Sequence, residues 1–326
     1  MKILVTGGAG YIGSHTTNQL FCAGHEVVVF DNLSTGFRDA IRPGVKFVQG
    51  DVRDIDLLEK TITENAIQAV VHFAAKLIVS ESVGMPIEYY ENNTIGVISL
   101  MSACRRTGVN NVVFSSTAAV YGDVRQQGLI SESQPNNPIN PYGRSKLMSE
   151  AILRDCEAAY GIRTVVLRYF NVAGASADGL NGQRTKNATH LVKIASEAAV
   201  GKRRKMNIFG TDYPTADGTC VRDYIHVEDL ADVHVLALDY LSKGNKGVTI
   251  NCGYGHGYSV REVIDVMKKV TGVDFVVEEA TRRVGDPASL VASSEKASSV
   301  LGWKPQYDSL ELICKSAADW EKRMTF

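Results

Sequence analysis

The chain lacks an excess of charge of either sign, cysteines at pairing distance and any long apolar run, and each absence removes a class of function. Lysine and arginine number 35 against 36 aspartates and glutamates, a formal net charge of −1. No whole-molecule field therefore gathers nucleic acid or an anionic membrane. The densest basic run, Lys202-Arg203-Arg204-Lys205, reads first as a solvated loop or helix end. The six cysteines (Cys22, Cys104, Cys156, Cys220, Cys252 and Cys314) lie far apart with no C-x-x-C spacing, so they read as reduced, mostly buried thiols. The seven histidines are scattered too, and no metal site is expected. No apolar run approaches the ~20 residues that span a bilayer. The opening Met-Lys-Ile-Leu-Val-Thr-Gly reads as a strand rather than a signal sequence, so a cytoplasmic location is expected.

What is present is enough apolar sequence for a large core: 326 residues, 44% of them hydrophobic. Short apolar runs occur at residues 2–6, Val27–Phe30, Phe47-Val48, Ala69–Phe73, Asn111–Phe114 and Val165–Leu167, separated by segments long enough for helices. Such alternation predicts an α/β fold, a Rossmann-like doubly wound parallel sheet with right-handed crossovers. The polar clusters follow the runs: Asp31, Gly50-Asp51, Ala74-Ala75, Ser115-Ser116-Thr117 and Arg168-Tyr169-Phe170-Asn171. In such sheets ligands bind beyond the carboxyl ends of the strands. After about residue 175 the pattern turns glycine-rich and less regular. The expected division is a dinucleotide-binding domain over 1–175 and a smaller mixed α/β substrate domain over 176–326, with the chain returning to the first around 223–240.

Thr6-Gly7-Gly8-Ala9-Gly10-Tyr11-Ile12-Gly13 follows the first run and opens a helix. Glycines at 7, 10 and 13 suit a tight turn, close approach of a pyrophosphate and close helix–strand packing, and the helix N-terminus offers N–H donors to phosphate. An ordinary glycine-rich turn is the bland alternative. Asp31 closes the second run where an acid meets the adenosine ribose hydroxyls. A carboxylate there accepts from a 2′-hydroxyl and repels a 2′-phosphate, favouring NAD over NADP; the alternative is a strand-end Asp capping its turn. Asp51 fits an adenine contact.

Pro141-Tyr142-Gly143-Arg144-Ser145-Lys146 puts Tyr142 and Lys146 on one face of a helix that Pro141 helps start. Chance alone supplies roughly 0.7 Tyr–Lys pairs at this spacing, so the pair means little until Thr117 joins it at a strand end over the same crevice. A lysine charge about 5 Å away is worth roughly 3 kcal/mol at an effective dielectric of ~20, or two to three pKa units. On that argument Tyr142 titrates near 7 and takes a proton from a sugar hydroxyl, with Thr117 bonded to the same hydroxyl. The alternative is a surface pair one turn apart.

With these residues in view, the chain resembles the extended short-chain dehydrogenases, and within them the UDP-glucose 4-epimerases. The resemblance covers Thr6–His15, Asp31-Asn32-Leu33, His72-Phe73-Ala74-Ala75, Tyr89–Asn93, Phe114–Gly122, Pro141–Met148, Arg168–Asn171, Gly218–Asp229 and Arg282-Arg283-Val284-Gly285-Asp286. It implies an NAD site formed by Gly7, Gly10, Tyr11, Ile12, Gly13, Asp31, Asn32, Asp51, Val52, Phe73, Ala74, Asn92, Tyr142, Lys146 and Tyr169. It implies catalytic roles for Thr117, Tyr142 and Lys146 at the sugar 4-hydroxyl. It places Asn171, His190, Leu191, Arg222, Arg283, Asp286 and Leu290 around a UDP-sugar. Arginine forks suit a diphosphate and an aspartate suits a ribose diol, although Arg222 could instead pair with Asp223 or Glu228. The implied reaction is reversible inversion at carbon 4 through a 4-keto sugar, and the implied assembly is a homodimer.

Two departures stand out. Many relatives carry lysine where this chain has Leu77, with Lys76 one residue early. Leu290 stands where a gating tyrosine is common, and its shorter side chain leaves room for N-acetylated sugars such as UDP-GlcNAc and UDP-GalNAc. Nucleotide-sugar 4,6-dehydratases place Asp-Glu directly after the threonine, and decarboxylases also want an acid there. Here Ala118-Ala119 follow, and methyl groups move no protons. A non-catalytic NAD(H)-sensing protein could dispense with the tyrosine that this chain keeps.

Overall fold

The structure, a computed structural model, describes residues 1–124, 128–185, 188–283 and 286–324. Val284 and Gly285 of the family stretch lie outside the described residues. Seven strands form the central sheet: β1 (Lys2–Thr6), β2 (Glu26–Asp31), β3 (Lys46–Gln49), β4 (Ala69–His72), β5 (Asn111–Thr117), β6 (Arg163–Tyr169) and β7 (Val248–Cys252). All pairings are parallel, in the order β7-β6-β5-β4-β1-β2-β3. Both faces are covered, which is why the strands read as continuous apolar runs rather than alternating ones. Ile3, Val5, Val29 and Val71 belong to one core, and Leu4, Val28, Phe30 and Val70 to the other.

The helices that matter for position are α1 (Tyr11–Cys22), α2 (Ile55–Glu64), α3 (Gly96–Thr107), α4 (Pro141–Tyr160), α5 (Leu191–Ala199), α6 (Val227–Ser242), α7 (Val260–Thr271) and α8 (Leu310–Arg323). Helices α1 and α6 pack together on the first core, while α2, α3 and α4 cover the second. Pro141 sits in the first turn of α4, and the side chain of Asn140 accepts from Gly143 N at 2.8 Å, which fixes where Tyr142 begins its helix.

Past residue 175 the chain adds α5, α7 and α8, packed on one another beside a parallel pair of strands, Lys205–Phe209 and Val276–Ala280. It then returns. Tyr224–His226 pairs with Asn171–Ala173, α6 docks on α1, and β7 extends the main sheet beside β6. A small sheet joins Tyr258–Ser259, Val221–Arg222 and Ser289–Leu290. Among the described residues no helix is long and apolar enough to cross a membrane.

Candidate active site

The order of the main sheet reverses at β1, which has β2 on one side and β4 on the other, so a crevice opens past their carboxyl ends. The loop leaving β1 is as tight as its glycines demand. Gly7 has φ +71°, and a Cβ there would sit 2.6 Å from Ala74 N; one on Gly13 would sit 2.2 Å from Gly7 O. Helix α1 starts behind Gly10, which provides no side-chain cap. Its first-turn N–H groups and positive end therefore face whatever anion lies at the loop. Tyr11 donates its hydroxyl to Gly174 O at 2.6 Å, and Ile12 packs on the first core.

Asp31 is buried at the end of β2. One oxygen accepts from Ala9 N (3.0 Å) and the other from Leu33 N (2.8 Å). Burial raises its carboxyl pKa against the pull of these two N–H donors. The turn-capping role and the ribose role are compatible, because each carboxylate oxygen keeps a second lone pair for a diol hydroxyl. Asn32 donates to Asp51 at 3.2 Å, and Arg53 grips Asp51 with two guanidinium bonds of 2.8 Å. The Arg53 contact brings the Asp51 carboxyl down to about 2. Val52 is buried against Gly96, the backbone of Ala74 backs onto Gly7, and the Phe73 ring lies 4.7 Å from that of His234. These residues fit a dinucleotide: a cradle with no room for a side chain, uncapped helix donors and a buried acid.

Thr117 ends β5 and accepts from Ala119 N at 3.1 Å, so its hydroxyl hydrogen is free to turn to the Tyr142 oxygen, whose pKa it lowers. Lys146, one turn along α4 and buried, donates to Ser115 O at 2.8 Å and lies 4.9 Å from the Phe114 ring centroid. The structure corrects one expectation here. Burial raises the Tyr142 phenol above its ordinary value, the Thr117 bond only partly opposing it, while burial lowers Lys146 to about 7 against the pull of Glu150. The ammonium does attract the phenolate, but desolvating both charged forms costs more than that attraction returns. The near-neutral titration belongs to the pair, and in the protein alone it sits on the lysine.

Tyr169 sits behind this group. His234 Nδ1 faces Leu230 O at 2.8 Å, so that nitrogen carries the proton; Nε2 then accepts from the Tyr169 hydroxyl at 2.6 Å. Lys76 is engaged by Glu88 and lies 5.9 Å from the Tyr89 ring, and Leu77 is exposed. The one-residue shift thus leaves Lys76 tied down at its own surface.

The residues assigned to the UDP-sugar gather in part. Asn171 N donates to Asp223 O at 2.9 Å, which places Asn171 beside the Val221–Arg222 strand. Leu290 pairs directly with Arg222 in that small sheet and packs against the small buried cluster that contains Ala118, Tyr121, Ile130, Phe170 and Ala292. Arg222 approaches Asp286 at 3.4 Å rather than Asp223 or Glu228. Asp223 is taken by the N–H groups of Tyr254, Gly255 and Ala292, and Glu228 by His15 and Gln19. Arg283 is exposed and stacked 3.9 Å from the Phe209 ring centroid, not joined to Arg222. His190 caps the start of α5, with Leu191 next. Burial lowers the His190 pKa, and its Nδ1 accepts from the Gln183 amide at 2.9 Å.

Two sets of supporting residues escape a reading by motif. Asn93, beside the expected Asn92, accepts from Lys76 N (2.8 Å) and donates to Lys76 O and Ser145 Oγ (3.0 Å each), lashing the β4 loop to α4. It lies in a π-helical stretch, Tyr90–Ile95, of a kind common at functional sites. Glu150, fully buried below Lys146, accepts from Ser116 at 2.6 Å and from Arg168 Nε at 3.0 Å and Nη2 at 2.6 Å. Its spacing of four from Lys146 was the available signal.

Comparison with known proteins agrees with this geometry. Residues 3–253 match the model of the NAD dependent epimerase/dehydratase family. A UDP-glucose 4-epimerase of Azospirillum brasilense is 51% identical over 99% of this chain and 92% of its own length. The crystal structure of UDP-glucose 4-epimerase from Brucella ovis in complex with NAD has a TM-score of 0.95 and 45% identity, covering 98% of each chain. The UDP-Glc/GlcNAc 4-epimerase of Campylobacter jejuni has a TM-score of 0.87 and 52% identity over 99% of each chain. With its cradle, its strand-end acid and its paired phenol and lysine, this chain belongs to the NAD dependent epimerase/dehydratase family and, within it, to the UDP-glucose 4-epimerases.

Proposed function

We propose that this chain interconverts UDP-galactose and UDP-glucose by NAD-dependent inversion at carbon 4 of the sugar, with Tyr142, Thr117 and Lys146 at the reacting hydroxyl. The observation that carries the reading is the Thr117 hydroxyl beside the Tyr142 phenol, which it draws down in pKa, with buried Lys146 one turn away and a loop too tight for side chains next to them. Tyr142 takes the proton of the 4-hydroxyl, Thr117 holds the oxygen in line, and Lys146 keeps the pair one proton short of saturation near neutrality. When bound, NAD supplies a hydride acceptor that later returns the hydride, and its oxidised ring adds a positive charge favouring the phenolate. Gly7, Gly10, Gly13, Tyr11 and Ile12 hold its phosphates, Asp31 and Asn32 its ribose, and Asp51, Val52, Phe73, Ala74, Asn92, Lys146 and Tyr169 complete its surroundings.

The 4-keto sugar must turn over before reduction, so affinity has to rest on the UDP. Arg222, Asp286, Arg283, Asn171 and the His190–Leu191 helix start are assigned to that task. On this division residues 1–175 serve the cofactor and 176–326 the UDP-sugar, with the return strand and helix belonging to the first. Exposed Ile95, Ile98 and Met148 on the outer faces of the Tyr90–Ile95 stretch, α3 and α4 support a homodimer through those helices, acting in the cytoplasm. Proton NMR of UDP-galactose incubated with purified protein should show UDP-glucose accumulating to equilibrium, and Tyr142→Phe should slow it about 10²- to 10⁴-fold. Full-speed turnover by that variant would refute the assignment.

A second reading widens the substrates. Leu290 packs at the edge of the cluster that holds Ala118 and Phe170, and it brings no aromatic ring to fill the space beside the sugar. We assign UDP-GlcNAc and UDP-GalNAc as further substrates on this ground, in keeping with the similar Campylobacter jejuni protein being a UDP-Glc/GlcNAc 4-epimerase. No product from UDP-GlcNAc, where UDP-glucose turns over, would remove it.

A further inference from the structure

The segment Asn181–Thr185 belongs to the second half of the chain but lies against the dinucleotide loop of the first. The Asn181 side chain donates to Ser14 Oγ at 2.7 Å, and one cleft is lined by Ala9, Gly10 and Tyr11, by Thr35 and by Arg184. The segment is held from behind by the C-terminal helix α8. Trp320 donates its indole N–H to Gln183 O at 3.2 Å, and Gly182 packs so closely on that indole that a Cβ would meet it at 2.5 Å. Arg184 is caught between two rings, 5.6 Å from Phe37 and 5.3 Å from Trp320. Its side chain is only 14% exposed, and among the described residues Nη1 alone is bonded, to Asp39 at 2.7 Å. Nε is buried and makes no hydrogen bond among the described residues. A buried guanidinium N–H without an acceptor is costly, which singles this group out from the paired arginines around it. Asp39 is 74% exposed, so it meets only the outer side of the charge.

We infer that Arg184 is a further cofactor residue: it binds the diphosphate of the dinucleotide at the Gly10–Tyr11 loop, so that the 181–185 segment holds the cofactor in place between turnovers. This rests on the dinucleotide reading of the loop. The chemistry gives it a purpose. Oxidation and reduction cancel within one turnover, so the cofactor has no need to leave, and a cation contributed from the substrate half opposes its departure. Arginine suits the task because its planar fork matches phosphate oxygens and stays charged at any working pH.

The test is the exchange of bound NAD for isotopically labelled NAD, followed on purified wild type, Arg184→Gln, Arg184→Lys and Asp39→Asn. Melting temperature and circular dichroism serve as controls for folding. Losing a charge-assisted contact to phosphate should speed exchange at least about tenfold in Arg184→Gln, with partial recovery in Arg184→Lys and near wild-type exchange in Asp39→Asn. Equal exchange in wild type and Arg184→Gln overturns the inference and leaves the loop intact as a dinucleotide site. Exchange as fast in Asp39→Asn as in Arg184→Gln also overturns it, by showing that the ion pair rather than a phosphate contact does the holding. If wild type neither contains nor takes up NAD, it is the dinucleotide reading itself that fails.

Discussion

Tyr142 and Lys146 make the residue-scale case that burial and attraction must be weighed together. Lys146 is pulled down to about 7 by its desolvation, with Glu150 opposing, while the phenol is pushed up. The deprotonated pair is the form able to accept the sugar's proton, so kcat should be full above pH 7 and decline as pH falls through about 7. A kcat that stays flat from pH 8.5 to 5.5 would contradict this. Leu290 carries the second prediction at this scale. Replacing it by tyrosine puts a ring at the edge of the cluster that includes Ala118 and Phe170. Leu290→Tyr should cut UDP-GlcNAc turnover at least about tenfold while leaving UDP-galactose within a few-fold, as a missing fit of 1–3 kcal/mol implies. Side-by-side product NMR on the two substrates decides it.

Among elements, the loop between β1 and α1 is the least forgiving. Adding one methyl at Gly13 places carbon 2.2 Å from Gly7 O, a backbone atom that cannot swing aside as a side chain would. Gly13→Ala should therefore yield protein that retains little NAD, measured by acid extraction, and that melts lower by an overpacking cost of about 1–3 kcal/mol. Normal NAD content in that variant would show that the loop can relax. The same scale shows where motif reading succeeds and where it stops. Gly7, Gly10, Gly13 and Asp31 were legible because the turn and strand-end geometry dictate those residue types locally. Asn93 was not, because its two contacts to Lys76 and its one to Ser145 lie 17 and 52 positions away. The seventh strand was missed too: Val248–Cys252 is short and polar at two positions, and only its place beside β6 makes it part of the sheet.

For the molecule as a whole, acid stability is set by three buried histidines. Burial lowers His72 to about 3, and His226 and His234 to about 4, from an ordinary 6.5. These folded values lie below the unfolded one, so stability is full above pH 6.5 and is lost as pH falls toward 4 and then 3. Each gap of two units or more is worth about 3 kcal/mol. Asp223, which burial raises to about 6, and Asp31, also raised, act the other way, while His190, lowered by burial, adds to the side of the three histidines. Tm should be roughly 10 °C lower at pH 4.5 than at pH 7; equal melting at both would refute the balance.

The parallel sheet, the tight glycine loop and the phenol–lysine pair could be read from the chain alone, because each is written in spacings of a few residues that local geometry enforces. Folding alone settled which partner Arg222 takes, where the near-neutral proton sits, and that Arg184 lines one cleft with the Gly10–Tyr11 loop about 170 positions away. Those outcomes depend on burial and on contacts between distant segments, and solvent exclusion is a property of the packed molecule rather than of any stretch of chain.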